Sequence, residues 1–200
     1  MYEGARLAAM GVVVVNVTHR LNVLGYLHLP ESGPEFAASG NVGMQDIALA
    51  LKWTRENIER FGGDPKRVLV FGQSGGGTKT STLLGTAPAK GLFHRATAQS
   101  GSNVKGVTKS EAGQTALLIL AKLGLRPDQL VDYFALLGDA SDNVPGVPGV
   151  GEKTATGLLH QFDSLDGVYR RLGEVKGSLQ EKLRTHEKEA RLSRELVTLN

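Results

Sequence analysis

The sequence predicts an α/β segment followed by an all-α segment, and three observations support this. Uninterrupted apolar runs at residues 12–17 and 68–71 have the composition of parallel strands covered on both faces. Helical patterns and glycine-rich turns separate the strand patterns, in the order strand, helix, strand, helix, strand. No strand pattern follows Ala98. We therefore expect a partial parallel sheet of about three strands and then a helical module.

The helices of the first segment follow from periodicity and from their stop signals. A pattern from residue 44 to 61 has one apolar stripe, and the Gly-Gly-Asp-Pro sequence at residues 62–65 ends it. The strand at 68–71 leads into a glycine-rich turn and a helix at residues 75–84. A third short strand is predicted at residues 96–99.

The second segment contains helix and turn signals only. Thr108 and Glu111 have the spacing of a capping box ahead of an apolar helix. Pro127 can begin another helix, and Ser178 with Glu181 can begin the last one. The predicted helices cover residues 116–123, 127–137, 152–162 and 178–199, with a turn-rich hairpin at 143–151.

Composition excludes several kinds of site. The chain has no cysteine, which excludes disulfides, thiolate metal sites and cysteine nucleophiles. It has no run of 18 apolar residues and no signal-peptide pattern, so we expect no membrane span and a cytoplasmic location. Residues 126–200 hold 10 basic and 12 acidic residues, and the basic ones gather near the end. Such a tail can face DNA phosphates or form a salt-bridged, solvated helix.

A possible nucleophile lies between the second strand and its following helix. Residues 72–76 read Gly-Gln-Ser-Gly-Gly, the G-x-S-x-G pattern of a nucleophile elbow. Glycines on both sides of Ser74 permit a strained turn that presents its hydroxyl, and helix amides near Gly75 would face a developing oxyanion. The alternative is a glycine-rich turn with an incidental serine.

Further segments share the sequence of one enzyme family. They are residues 14–27, Asn41, Gly43, Asp46, the Leu-Lys-Trp triplet at 51–53, residues 57–65, the elbow and residues 93–102. Over residues 2–125 the chain resembles the type-B carboxylesterases, which are cholinesterase-like α/β-hydrolases. The resemblance implies a partial α/β-hydrolase sheet and a small ester substrate. It also implies Ser74 as the acyl-accepting nucleophile and the Gly75 amide in the oxyanion hole.

The resemblance also implies partners for Ser74 that this sequence does not supply. The family has a glycine-rich oxyanion segment upstream, and an acid and a histidine far downstream of the nucleophile. After Ser74 the histidines are His94, His160 and His186, for which we expect structural or exposed roles. A serine without a base is a weak nucleophile at neutral pH, so we expect an incomplete esterase site.

Acidic residues and glycines cluster in the second segment. Asp139 and Asp142 lie three residues apart at a helix end, where they can lean toward one Mg²⁺ ion or simply cap the turn. Gly146, Gly149 and Gly151 allow a tight hairpin whose amides can approach a phosphate, and Lys153 adds positive charge. The sequence therefore favours contacts to a phosphate backbone without base contacts.

A second resemblance covers this region. It rests on residues 125–129, Asp132, Tyr133, Gly138, the hairpin through residue 155, Phe162, Ser164, Leu165, Lys176, Gly177 and the last helix. The segment resembles the 5′ nuclease domain of bacterial DNA polymerase I and the flap-endonuclease superfamily. The resemblance implies a helix-three-turn-helix module that grips duplex DNA through its phosphates, often with a bound monovalent cation. It assigns Asp139 and Asp142 to the metal ligands, while the other ligands belong to a part of that family's domain not found here.

The sequence therefore predicts two segments, residues 1–124 and 125–200, joined without a linker. Three functions follow as hypotheses: an esterase-like hydrolase with an incomplete site, a 5′-3′ exonuclease-like module that binds duplex DNA, and an inactive chimeric chain. Non-specific DNA binding should be weak, with a dissociation constant of about 10⁻⁴ to 10⁻⁶ M, and sensitive to salt. The oligomeric state is left open.

Overall fold

The computed structural model describes residues 4–29, 32–103 and 105–198, which divide into two compact units. Unit 1 comprises residues 1–27 and 38–109, and unit 2 comprises residues 28–37 and 110–200. The division after Lys109 lies at the start of the helix that spans Lys109–Leu123. The boundary predicted at residue 124 instead separates the two family resemblances. That boundary stays a prediction.

From residue 42 to residue 99, unit 1 has the predicted order of helix, strand, helix and strand, around one small core. Met44, Ile47 and Leu51 are buried on the longest helix and pack against Leu83 and Ala89. Gly62, with φ of +80°, follows the 3₁₀ turn that extends this helix, as the sequence predicted. The elements are α1 (Gly4–Ala8), α2 (Asn22–Tyr26), α3 (Val42–Asn57), β1 (Leu69–Gln73), α4 (Gly75–Leu83) and β2 (Arg95–Gln99).

Within the described residues, the sheet of unit 1 has two parallel strands, and the strand predicted at residues 12–17 is not formed. β1 pairs with β2 in a register that joins Leu69 to Arg95 and Gln73 to Gln99. Residues 12–17 adopt no regular structure, and Val12, Val13, Val15 and Val17 are exposed. A β-branched run becomes a strand by packing and pairing with neighbours. Unit 1 does not provide that cover within its described residues.

Unit 2 is helical and buries apolar side chains from each main helix. α6 packs against α10 and α7, and α7 packs against α8. Phe162, Leu165, Leu183 and Ala190 are at most 2% exposed. The helices are α5 (Lys109–Leu123), α6 (Leu130–Leu137), α7 (Glu152–Phe162), α8 (Leu165–Arg170), α9 (Ser178–Thr185) and α10 (Glu187–Thr198).

Two helix predictions for unit 2 need correction. The predicted single helix from residue 178 is divided at His186 into α9 and α10, and Ser178 is the first helical residue rather than the cap. Leu183 and Ala190 are both fully buried, so the bend allows each helix to bury its own apolar side chains. The sequence also missed α8, which Ser164 caps by accepting the Gly167 N–H at 3.0 Å.

Within the described ranges, no helix is long and apolar enough to cross a membrane.

Candidate functional site

Ser74 lies on a strained turn between β1 and α4. Its φ of +56° and ψ of −119° are a conformation that non-glycine residues rarely adopt, and its side chain is exposed. Backbone strain of this kind costs about 1–3 kcal/mol and persists only where surrounding structure enforces it. The turn therefore presents the hydroxyl away from the sheet, as the G-x-S-x-G pattern predicts.

Close backbone approaches enforce the turn. A Cβ atom on Gly72 would collide with the backbone of Gly76, so glycine at position 72 allows the strand and helix to touch. A Cβ atom on Gly101 would collide in the same way with the Ser74 carbonyl oxygen. Gly76 has open space at its Cβ position. The sequence identified the glycines next to Ser74 but not the role of Gly101.

Two hydrogen bonds fix the backbone of Ser74. Its N–H donates to the Gln99 carbonyl at the end of β2 at 2.8 Å, and its carbonyl accepts the Thr78 N–H at 3.0 Å. Gly75 and Gly76 begin α4, at positions whose N–H groups have no acceptor within the helix. These two amides can therefore donate to an anion in front of Ser74.

The histidines of unit 1 have other partners. The Nδ1 atom of His94 lies 3.3 Å from the Val68 nitrogen, at the start of β1 and thus at the opposite end of the strand from Ser74. Five strand residues span about 17 Å, so His94 lies too far away to act as a base. The His19 Nδ1 atom lies 3.0 Å from the Arg20 carbonyl oxygen. His160 and His186 belong to unit 2.

Lys79 is a residue near the elbow that the sequence interpretation missed. A Cβ atom on Gly75 would lie 3.6 Å from the Lys79 ammonium nitrogen, which lies 5.4 Å from the centroid of the Tyr26 ring. The signal was available in the spacing, because residues four apart on a helix share a face. This spacing did not single out Lys79 as a site residue, since most lysines on helices face solvent.

An ion pair stabilises the helix next to the elbow. Asp46 on α3 accepts hydrogen bonds from the Arg20 Nε atom at 2.9 Å and the Nη2 atom at 2.7 Å. Burial opposes ionisation of Asp46, but the hydrogen bonds from Arg20 outweigh it and hold the pKa of this carboxyl below its ordinary value. The pair connects the segment before α2 to α3.

In unit 2 the glycine hairpin is anchored by valines. Val144, Val147 and Val150 are buried at every third position. Asp139 and Val144 exchange backbone hydrogen bonds of 3.0 and 2.8 Å, and the Val147 N–H donates to the Leu136 carbonyl at 2.8 Å. The hairpin is therefore fixed to the end of α6.

The predicted DNA-binding glycines occupy different positions in the hairpin. Gly146 is buried, and its N–H donates to the Ser193 hydroxyl at 2.9 Å, so that amide is not available to a phosphate. Gly149 is exposed with φ of +80°, and a Cβ atom there would lie 2.7 Å from the ammonium nitrogen of Lys182. Gly151 caps the start of α7, where Lys153 is exposed.

Lys182 belongs to the predicted basic tail, but its position over Gly149 was not predicted. It comes from α9, and only the packing of α9 near the hairpin brings its ammonium group over Gly149. Together, Lys153 and Lys182 place two positive charges beside the exposed part of the hairpin.

Asp139 and Asp142 lie on one turn. The Asp139 carboxylate accepts the Ser141 N–H at 2.8 Å and the Asp142 N–H at 3.4 Å, the pattern of a side chain that caps its own turn. No group of three metal-ligating side chains that could hold an ion occurs in the part of the chain that the structure describes. The donor set therefore does not fit a metal centre that could cleave DNA.

Part of the predicted basic tail is paired with acid. Arg191 and Arg194 contact the two carboxylate oxygens of Asp166 at 3.0 and 2.8 Å. Hydrogen bonds from Arg194 and then Arg191 lower the pKa of Asp166. For these two arginines, the basic residues near the end of the chain form the predicted salt-bridged helix and do not form a free DNA-facing surface.

Comparison with known proteins agrees with the geometry of the elbow. A model of the carboxylesterase family matches residues 1–138, more than half of the chain. The chain belongs to the carboxylesterase family. A second model, 5′-3′ exonuclease, C-terminal SAM fold, matches residues 125–200. The two matches share residues 125–138.

Esterases are among the proteins to which this carboxylesterase-family chain is similar. It is 47% identical to the para-nitrobenzyl esterase of Bacillus subtilis (strain 168) over 131 residues, which are 65% of this chain and 26% of that protein. It is 39% identical to human cocaine esterase over 140 residues, which are 69% of this chain and 24% of that protein. The solved structure of a thermophilic PNB esterase matches with a TM-score of 0.54 and 36% sequence identity. The match covers 73% of this chain and 28% of that one. The chain thus spans about a quarter of the length of these curated relatives.

Proposed function

We propose that unit 1 provides the nucleophile segment of a serine carboxylic-ester hydrolase, with a small ester as substrate. The observation that supports this most is the strained, exposed Ser74 between β1 and α4, where glycines allow backbone contact. The Ser74 oxygen would bond to the acyl carbon while the carbonyl electron pair moves to its oxygen. Collapse of that oxyanion expels the alcohol, which takes the serine proton through water. Water then releases the acid and restores Ser74.

The site is incomplete in this proposal. His94 lies at the opposite end of β1 from Ser74, the His19 Nδ1 atom lies at the Arg20 carbonyl oxygen, and the chain covers about a quarter of its relatives. Without a base, each acyl transfer is slow, because the neutral hydroxyl is a weak nucleophile. We therefore expect acylation at Ser74 to be more readily detected than multiple turnover.

A labelling experiment tests the proposal. The full chain is treated with a neutral fluorophosphonate, which bonds to an activated serine oxygen as fluoride leaves, and the intact mass is measured. We expect one adduct per chain, located at Ser74 and absent from Ser74→Ala. Ser81, on the same helix, provides the matched control, since Ser81→Ala should label as the parent chain does. Equal labelling of Ser74→Ala would disprove the proposal.

The second candidate function is sequence-independent binding of duplex DNA by unit 2. Two observations favour it: the exonuclease-family match at residues 125–200, and the positive charges of Lys182 over Gly149 and of exposed Lys153 at the start of α7. We propose that the chain is a fusion of an esterase segment with this helix-three-turn-helix module. Binding occurs without cleavage in this proposal, because two carboxylates cannot clamp two metal ions.

Salt-dependent binding tests the DNA proposal. Fluorescence anisotropy with a labelled duplex should give a dissociation constant of about 10⁻⁴ to 10⁻⁶ M that rises steeply with salt. Lys153→Glu should weaken binding and reduce the salt dependence, and Lys182→Glu should do the same. Lys188→Glu on α10 is the control for charge alone. Unchanged affinity in both hairpin variants would exclude the hairpin as the binding surface.

Two cation sites stay proposals. Mg²⁺ at Asp139 and Asp142 would bind through carboxylate oxygens and keep several waters, and a monovalent cation would bind to hairpin carbonyls. A chemical-shift titration with each cation tests them. Shifts centred on residues 139–142 for Mg²⁺, lost in Asp142→Asn, would support the first site, and shifts at residues 146–151 would support the second.

The third hypothesis is an inert chain, and one observation keeps it open. All five residues of β2 are exposed, and exposed strand edges invite aggregation. Urea unfolding followed by circular dichroism tests it, since a cooperative transition requires a packed native state. A featureless decline would favour inertness over both functions.

A further inference from the structure

The nucleophile helix has a cation at its first turn that the proposed reaction has not yet used. Lys79 follows Gly75 by four residues, and helix side chains lean toward the N-terminus of their helix. The ammonium nitrogen consequently lies 3.6 Å from the point that a Cβ atom on Gly75 would occupy. It is next to the residue whose amide is proposed to face the oxyanion.

An aromatic ring holds this ammonium group in place. It lies 5.4 Å from the Tyr26 ring centroid, within the range of a cation–π interaction. The ring is itself confined, because a Cβ atom on Gly43 would lie 2.5 Å from the Tyr26 hydroxyl oxygen. Lys79 is half-buried. The chain thus orders a flexible side chain at the elbow.

The charge of Lys79 has no ion-pair partner among the described side chains of the protein. Partly buried charges are normally paired, since leaving water costs free energy. At the elbow, negative charge develops only when Ser74 attacks a carbonyl or phosphoryl group. An ordered cation without a partner at that place is suited to the charge of the transition state.

We propose that Lys79 stabilises the oxyanion electrostatically, beside the Gly75 amide. This proposal rests on Ser74 being the acyl-accepting nucleophile. The bonds made and broken are those of the ester reaction described above, and Lys79 keeps its protons throughout. Loss of one oxyanion donor reduces rates by about 10²–10³-fold. We expect a smaller loss, of about 10- to 50-fold, because water screens a half-buried ammonium.

The test is the second-order rate constant for phosphonylation of Ser74 in the full chain. Lys79→Met should react about 10- to 50-fold more slowly, and Lys79→Arg should stay within about 3-fold of the parent chain, because a guanidinium keeps the charge. Lys90→Met, at an exposed position of the same unit, is the matched control and should not change the rate. Added salt should narrow the gap between the parent chain and Lys79→Met.

Tyr26 provides a second test through its ring. Tyr26→Phe retains an aromatic face and should preserve the rate, whereas Tyr26→Leu should lose most of the effect of Lys79. Circular dichroism of both variants checks that α2 and α3 are retained. Equal rates in the two variants would show that the ring does not position Lys79 and would overturn that part of the proposal.

The possible outcomes separate this proposal from the proposed function. Labelling of Ser74 at the parent rate in Lys79→Met would overturn the role of Lys79 and leave the nucleophile in place. Lys79→Arg as slow as Lys79→Met would also overturn it, since positive charge at this position would then not be enough to maintain the rate. Absence of Ser74 labelling in the parent chain would reject the nucleophile and this role together.

Discussion

The elbow of unit 1 and the hairpin of unit 2 both depend on glycines at close backbone contacts, but the surrounding packing differs. The hairpin is anchored by three buried valines against helices whose apolar side chains are buried. The elbow joins a two-stranded sheet, and all five residues of β2 are exposed. The elbow turn thus forms in a unit in which all five residues of one strand are exposed. We expect unit 2 to be the more stable unit.

A pair of phenylalanine substitutions should give the largest contrast between the units. Phe162 in unit 2 is 2% exposed, and Phe61 in unit 1 is 60% exposed. Phe162→Ala should lower the free energy of unfolding by about 3–5 kcal/mol through lost burial and a cavity. Phe61→Ala should cost less than about 1 kcal/mol, since the side chain is mostly in water already. Urea unfolding measures both, and equal costs would contradict the difference in packing.

Substitution of two elbow glycines by alanine should show whether the close backbone contact at Gly72 is required for the turn. Gly72→Ala places a Cβ atom against the Gly76 backbone, which cannot move away as a side chain could. We expect a loss of about 2–3 kcal/mol and loss of Ser74 labelling. Gly76→Ala meets open space and should keep both stability and labelling. Thermal unfolding and intact mass measure the pair, and a tolerated Gly72→Ala would show that the contact is not required.

The Arg20–Asp46 pair should make unit 1 sensitive to acid. The pKa of Asp46 is lower in the folded state than its ordinary value of 3.8. Its contribution to folding stability is therefore present above pH 3.8 and is lost as the pH falls below that value. Asp46→Asn should cost about 2 kcal/mol at pH 7 and remove this part of the pH dependence. Unfolding measured from pH 7 to pH 3 tests it. A variant with the same acid profile as the parent chain would contradict this role of Asp46.

Asp132 in unit 2 should show the opposite and smallest effect. Burial raises the pKa of Asp132 although its carboxylate accepts the Leu165 N–H at 2.8 Å. The protonated form is therefore favoured in the folded state, and stability should decrease as the pH rises from 3.8 through the folded pKa. Asp132→Asn keeps an acceptor and should change stability by less than about 1 kcal/mol at pH 7. A large loss of stability in Asp132→Asn at pH 7 would show that unit 2 needs the negative charge of Asp132.

Local signals predicted the elements that depend on local physics. α7 begins and ends at the residues that the sequence indicated, and β1, α4 and β2 agree within two residues. Ser74 could be placed because a five-residue pattern between strand and helix signals fixes the turn. The Asx turn at Asp139 was also foreseen as an alternative, because that residue type commonly caps its own turn.

Features that depend on distant packing were not predicted. The run at residues 12–17 has strand composition, but a strand also requires partners. The division at His186 follows from the burial of Leu183 and Ala190, and no glycine or proline marks it. Lys79 and Lys182 reach their sites through side-chain direction and helix packing, which periodicity alone does not specify.

Amide hydrogen exchange resolved by residue tests the elbow most directly. The structure predicts slow exchange at Ser74 and Thr78, whose N–H groups donate to the Gln99 and Ser74 carbonyl oxygens. Exchange should be fast at Gly75 and Gly76, the amides left to face an oxyanion. Fast exchange at all four residues would contradict the account, because it would mean that this chain does not form the nucleophile elbow.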